Sequence, residues 1–177
     1  MALKKAIAHP PKQVARPASL LAGYSGTPLP KKLGIKPEAI VTLVAAPADF
    51  RRTLGEVPPG VEFAVATLAD SKRLVSKAQP REAGGSKTSR PALTLFFPGS
   101  CAELARAIDA IVLFAKCGPV WIAWPKKASG VVTDLTEKEV RATGLDAGLV
   151  DYKVCAIDAT WSGLLFAGRK PGGKRKD

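Results

Sequence analysis

The chain predicts a three-layer α/β sandwich: a mainly parallel sheet of about six strands between helical layers, with the last strand antiparallel. Three observations point there. Short apolar runs rich in β-branched residues alternate with stretches of helical periodicity along 39–167. Two helix starts carry the Ser/Thr-x-x-Glu pattern, at Ser100/Glu103 and Thr136/Glu139. The last two apolar runs are separated only by Asp158-Ala159-Thr160, the spacing of a hairpin turn. With 177 residues, 46% of them hydrophobic, the chain can bury the core that such a sandwich needs.

Order is expected from Gly23. Thr27 caps a short helix with Pro28 at its first position, Leu29 and Leu33 facing inward and Gly34 ending it. Residues 39–46 (AIVTLVAA) read as a strand buried on both faces; Pro47 stops it, and Asp49 caps a short helix ending at Gly55. Pro58-Pro59-Gly60 turns the chain into a second strand over 61–67 (VEFAVAT). A helix start near Leu68 gives way to a polar, basic loop over 71–90, centred on Gly84-Gly85-Ser86. A third strand over 92–97 (ALTLFF) closes at Pro98-Gly99. Behind Ser100, the residues Leu104, Ala105, Ile108, Ile111, Val112 and Ala115 recur at helical spacing as far as Gly118-Pro119. Residues 120–124 (VWIAW) form the fourth strand, and the helix opened by Thr136 closes near Gly148. In the fifth strand, 149–157 (LVDYKVCAI), Val150, Tyr152, Val154 and Ala156 share a face; 161–167 (WSGLLFA) is the sixth.

The formal net charge of +12 is unevenly placed: 1–22 carry +4, 71–90 carry +5, 168–177 carry +4, and the remainder carries −1. The expected organisation is a basic disordered arm over 1–22, a single domain over 23–167 with a basic loop at 71–90, and a basic disordered tail over 168–177. Such segments attract nucleic acid nonspecifically by counterion release, but they hold no Phe, Trp or Tyr on which bases could stack. No apolar run approaches the ~18 residues of a membrane span. The N-terminal stretch lacks a continuous apolar segment for a secretory signal. Three cysteines, Cys101, Cys117 and Cys155, with no CxxC pair, fit reduced thiols in the cytoplasm. A single histidine leaves little for a zinc site, and no metal or cofactor is predicted. At the start of its helix, Cys101 would feel the dipole as a pull toward thiolate.

A parallel sheet closed by a hairpin is the plan of Rossmann-like methyltransferases, with spatial order 2-1-3-4-6-5. Ligands in that topology bind beyond the carboxyl ends of the strands, near the order switch between strands 1 and 3. Loops 47–49, 98–101, 125–130 and 158–160 meet on that edge, and they gather Lys126, Lys127, Ser129, Asp158 and Trp161 as candidate ligand-binding residues. Two ammonium groups, a hydroxyl and a backbone loosened by Gly130 suit a phosphate or carboxylate. The indole offers a surface for a flat ring or a cation. The same side chains also read as plain structure, with Trp121, Trp124 and Trp161 as core and the lysines as solvated charges. Residues 45–49 (AAPAD) supply no glycine turn after strand 1, and Thr67 and Leu68 stand where an acidic residue would close strand 2, with Asp70 later. Both departures weigh against a standard dinucleotide or S-adenosylmethionine enzyme. Gly23-Tyr24-Ser25-Gly26 is no nucleophile elbow, and no catalytic residue is assigned.

GYSGTPLPKKLGIK (23–36), IAWPKKASGVVTDLTEKEVR (122–141) and LVDYKVCAIDATWSGLLF (149–166) resemble a bacterial domain family of unknown function; WPKKASG and TWSG carry most of the likeness. The resemblance implies a Rossmann-like α/β fold and transfers no activity. Three functions follow as expectations. The first is a ligand-binding or regulatory domain taking a small anionic or phosphorylated ligand at the carboxyl edge of the sheet. The second is a small-molecule enzyme of degenerate methyltransferase-like type using Lys126 or Lys127 with Asp158. The third is nonspecific nucleic-acid association through the basic arms.

Overall fold

A mixed six-stranded sheet of order β2-β1-β3-β4-β6-β5 organises the protein. The computed structural model describes residues 26–70 and 92–169. The expected arm, the basic loop and all but the first two residues of the tail lie outside these. Strands β1 (Ile40–Val44), β2 (Glu62–Ala66), β3 (Leu93–Phe96) and β4 (Val120–Pro125) are mutually parallel, while β5 (Leu149–Ala156) and β6 (Trp161–Gly168) form an antiparallel hairpin joined to β4 through β6. The expected strand order and the antiparallel last strand are both present.

Helices cover the two faces unequally. On one face lie α3 (Cys101–Cys117) and α4 (Glu137–Asp146), whose Leu104, Ala107, Ile111, Phe114 and Val140 pack against Val44, Phe96, Ile122, Leu164 and Phe166. On the other lie two single-turn helices, α1 (Leu29–Leu33) and α2 (Phe50–Leu54), whose Leu29, Leu33, Phe50 and Leu54 pack against Val41, Leu43, Leu95, Trp121 and Ala123. The central strands β3 and β4 are buried along their whole length, as a parallel sheet covered on both sides requires. Trp121 is fully buried, and its indole N–H donates to the Leu33 carbonyl at 2.9 Å, tying α1 to the sheet centre. The buried polar side chains among the described residues are Thr42 and Thr94, neighbours in register across β1 and β3.

Helix ends show where local signals hold and where they bend. Ser100 Oγ accepts the Glu103 N–H at 3.2 Å as expected, and Glu103 returns its carboxylate one residue further back, to the Gly99 N–H at 2.8 Å. Thr136 departs from the capping box: its hydroxyl donates to the Glu139 carboxylate and accepts no helix N–H. That hydrogen bond holds the Glu139 carboxyl below the usual carboxylate range. Pro28, not Thr27, is the N-cap of α1, and Gly34 ends it in the left-handed region at φ 81°.

The largest departure is in β5. Asp151 pairs with Phe166 but Lys153 pairs with Leu165, so Tyr152 is an extra residue, a β-bulge. Upstream of it Asp151 faces α4, where it accepts from Arg141 Nε at 2.9 Å. Downstream, Lys153 and Cys155 face the α1 side. The expected shared face of Val150, Tyr152, Val154 and Ala156 is therefore broken, and Tyr152 and Val154 stand exposed.

Candidate functional site

The carboxyl edge of β4 is built by one loop that leaves the sheet at Pro125 and re-enters structure at α4. Its first residue is locked to the β5–β6 hairpin twice: the Lys126 N–H donates to the Thr160 carbonyl at 2.7 Å, and Lys126 Nζ donates to the Asp158 carbonyl at 2.5 Å. Pro125 lies in register with Trp161, so the β4 exit and the hairpin turn are neighbours by pairing. Lys126 and Asp158 thus stand together, though through the backbone oxygen of Asp158. Its carboxylate is engaged elsewhere: Oδ1 accepts the Thr160 and Trp161 N–H groups, both at 2.7 Å, in an Asx turn that shapes the hairpin.

Ser129 also serves its own loop, donating to the Lys126 carbonyl at 2.6 Å and accepting from the Val131 N–H at 3.3 Å. Lys127 begins the single 3₁₀ turn Lys127–Ser129 and is exposed. Gly130 follows in the left-handed region at φ 75°, where a Cβ would be strained. Beyond it Val131 and Val132 are exposed, Val132 to 98%. The loop is then pinned to the end of β3: Thr133 Oγ1 donates to the Gly99 carbonyl at 2.9 Å, and Asp134 Oδ1 accepts the Cys101 N–H at 2.8 Å. The α3 N-terminus is thereby occupied by the protein's own carboxylate.

Trp161 belongs to an aromatic row. Its ring meets Phe97 edge-on with centroids 5.2 Å apart, and Phe97 meets Phe50 at 4.9 Å. Phe50 and Phe97 are buried and Trp161 is half-buried; its backbone stands in register with Pro125, the residue before Lys126.

Two thiols show opposite electrostatic surroundings. Burial, and then the negative charge of Asp134, push Cys101 up, which corrects the expectation that the helix dipole would lower it. Burial also pushes Cys155 up, but there the charges of Lys32, Lys153 and Lys126 pull the other way. Sequence reasoning missed Lys32, Lys153 and Cys155. Lys153 reaches α1 only because of the bulge, and no local pattern marks a bulge.

The adenosyl-cofactor signals can be tested on the same edge. Ala45, the residue after β1, adopts φ 51°, a left-handed turn made without glycine. Asp70 returns through the 3₁₀ turn Leu68–Asp70 to the end of β2, where its Oδ2 accepts from Thr67 N at 3.0 Å and Thr67 Oγ1 at 2.7 Å. Residues 45–49 hold no glycine, Pro47 lacks an N–H, and the Asp70 oxygen already holds two donors. These residues do not fit the cofactor in the usual manner.

Among the described residues no group of three His, Cys, Asp or Glu could hold a metal, and no helix is long and apolar enough to cross a membrane. No protein-family model and no curated protein matches the chain. Among solved structures, the fold is similar to a candidate type 11 methyltransferase of Sulfolobus solfataricus, with 16% identity, a TM-score of 0.51, and coverage of 84% of this chain and 94% of that one. A SAM-dependent methyltransferase of Aquifex aeolicus is also similar, at 16% identity and a TM-score of 0.48, covering 77% and 85% of the two chains. The first likeness shows the fold, a Rossmann-like α/β sheet of methyltransferase type. The fold that the resemblance implied is present, while no family match supports the resemblance carried by WPKKASG and TWSG.

Proposed function

We propose that this protein binds a small anionic ligand at the carboxyl edge of β4, with Lys126 and Lys127 supplying charge and Trp161 a flat apolar wall. The observation that carries the reading is the Lys126 ammonium. It is half-buried and fixed by a carbonyl, and among the described residues neither lysine forms an ion pair. One of its three N–H donors is used, which leaves two for an anion. Ser129 and Asp158 hold the loop and the hairpin in shape, a positioning role. The test is heat stability with millimolar inorganic phosphate at constant ionic strength. The wild type should gain more than K126A/K127A, while general salting-out acts on both alike. An equal gain in the two proteins overturns the proposal.

The methyltransferase-type fold supports a second reading, a degenerate methyltransferase-like enzyme acting on a small molecule with Lys126 or Lys127. The Asp158 carboxylate is bound by two backbone N–H groups, so a lysine in this role would work without it. Turnover lost in K126A and kept in D158N would favour this reading.

A further inference from the structure

The hairpin turn at the carboxyl edge holds a fixed ammonium and a half-buried indole on one aspartate. Lys126 Nζ donates to the Asp158 carbonyl, and Asp158 Oδ1 accepts the Trp161 backbone N–H at 2.7 Å. The Trp161 ring is braced edge-on by Phe97, and Phe97 in turn by Phe50. Trp121 spends its indole N–H on the Leu33 carbonyl, whereas that of Trp161 has no hydrogen-bond partner among the described residues. The buried side-chain polar atom without a partner is Thr42 Oγ1, so the Trp161 indole N–H is open to solvent. Ser129, Thr133, Asp134 and Asp158 all turn to backbone groups of the protein. Besides the Thr160 hydroxyl, the edge therefore keeps N–H donors free: two on Lys126, those of Lys127 and the indole N–H.

We infer that the ligand of this edge is a small aromatic carboxylic acid, its carboxylate on the Lys126 ammonium and its ring against the Trp161 indole. This rests on the anion-binding reading above and names the class of ligand. A phosphate is ordinarily cradled by backbone N–H groups at a helix N-terminus or a glycine turn. Here Asp134 fills the α3 N-terminus, and the turn after β1 has no glycine and includes Pro47, which lacks an N–H. A carboxylate has two oxygens to satisfy where a phosphate has three, and it lies flat with the ring that carries it. The ammonium is set by a carbonyl and the indole by Phe97 before any ligand arrives, so binding orders little.

The full chain is titrated with benzoate, acetate, inorganic phosphate and benzamide at matched ionic strength, and the assigned indole N–H signals are followed by NMR. Benzoate should move the Trp161 signal at a half-saturating concentration roughly threefold or more below those of acetate and phosphate. The Trp121 signal, held by the Leu33 carbonyl, should stay in place. Benzamide, flat but uncharged, should give no saturable shift, and K126Q should lose the response to benzoate. In W161L benzoate should raise heat stability no more than acetate does. The inference is overturned if benzoate binds no more tightly than acetate, if benzamide matches benzoate, or if the advantage of benzoate persists in W161L. Should W161L fail to fold, the three ligands compared on the wild type decide alone. The two proposals separate cleanly. If phosphate stabilises the wild type and not K126A/K127A while benzoate gains nothing over acetate, the anion site stands and the aromatic ligand falls. An equal gain from phosphate in K126A/K127A removes the edge site itself.

Discussion

At the scale of single residues, the two thiols show how little residue type settles. Cys101 begins α3 and lies beside Asp134, which caps the helix through the Cys101 N–H and accepts the thiol on its own carbonyl at 3.4 Å. Burial, and after it the negative charge of that cap, raise the thiol. Asp134→Asn keeps an oxygen for the cap and removes the charge, so the Cys101 thiol should titrate lower. Alkylation at mildly alkaline pH should then quicken at Cys101 and not at Cys155, as peptide mapping would read. An unchanged rate would assign the upward shift to burial alone. Nothing near Cys101 in the chain announces this, because Asp134 lies 33 residues away. The candidate residues behave similarly. Lys126 and Asp158 can be placed on one edge from topology, yet it is the Asp158 carbonyl and not its carboxylate that meets the ammonium. That choice follows from the Asx turn, in which the carboxylate accepts the Thr160 and Trp161 N–H groups.

At the scale of elements, periodicity and turn chemistry made all six strands and both long helices legible, with ends within a residue or two. The Thr136 cap was not, since its hydroxyl turns to the Glu139 carboxylate in place of a helix N–H; nor was the β5 face, which depends on a partner outside its own segment. Gly144 belongs to the same class. Inside a helix a glycine reads as a weak point, costing about 1 kcal/mol against alanine. Here a Cβ would stand 2.3 Å from Cε1 of the fully buried Phe166 ring, so α4 needs glycine to approach β6. Gly144→Ala should destabilise by about 1–3 kcal/mol through overpacking, despite its better helix propensity. Urea unfolding with an unchanged slope and a lower midpoint would show it; a higher midpoint would mean that α4 shifts freely.

At the scale of the whole molecule, the strand order followed from alternation and a closing hairpin, which leave few topologies open. The face that Lys153 joins did not, because it depends on register, which a one-residue irregularity alters. The fold is of methyltransferase type, but the turn after β1 is made without glycine, and at the end of β2 Asp70 Oδ2 already accepts two hydrogen bonds from Thr67. S-adenosylmethionine should therefore give no saturable heat in calorimetric titration of the full chain at micromolar concentrations. Micromolar binding would show that Ala45 and Asp70 rearrange to receive it.

The extra residue in β5 also sets how this protein can tolerate change. Removing Tyr152 would make Asp151 and Lys153 consecutive residues opposite Phe166 and Leu165, so both halves of the strand would keep their pairing and their faces. An unbroken pleat that kept all eight residues would do the opposite and return Lys153 and Cys155 to the face of Asp151. One inserted residue, more than the composition of the strand, therefore decides which side Lys153 and Cys155 join.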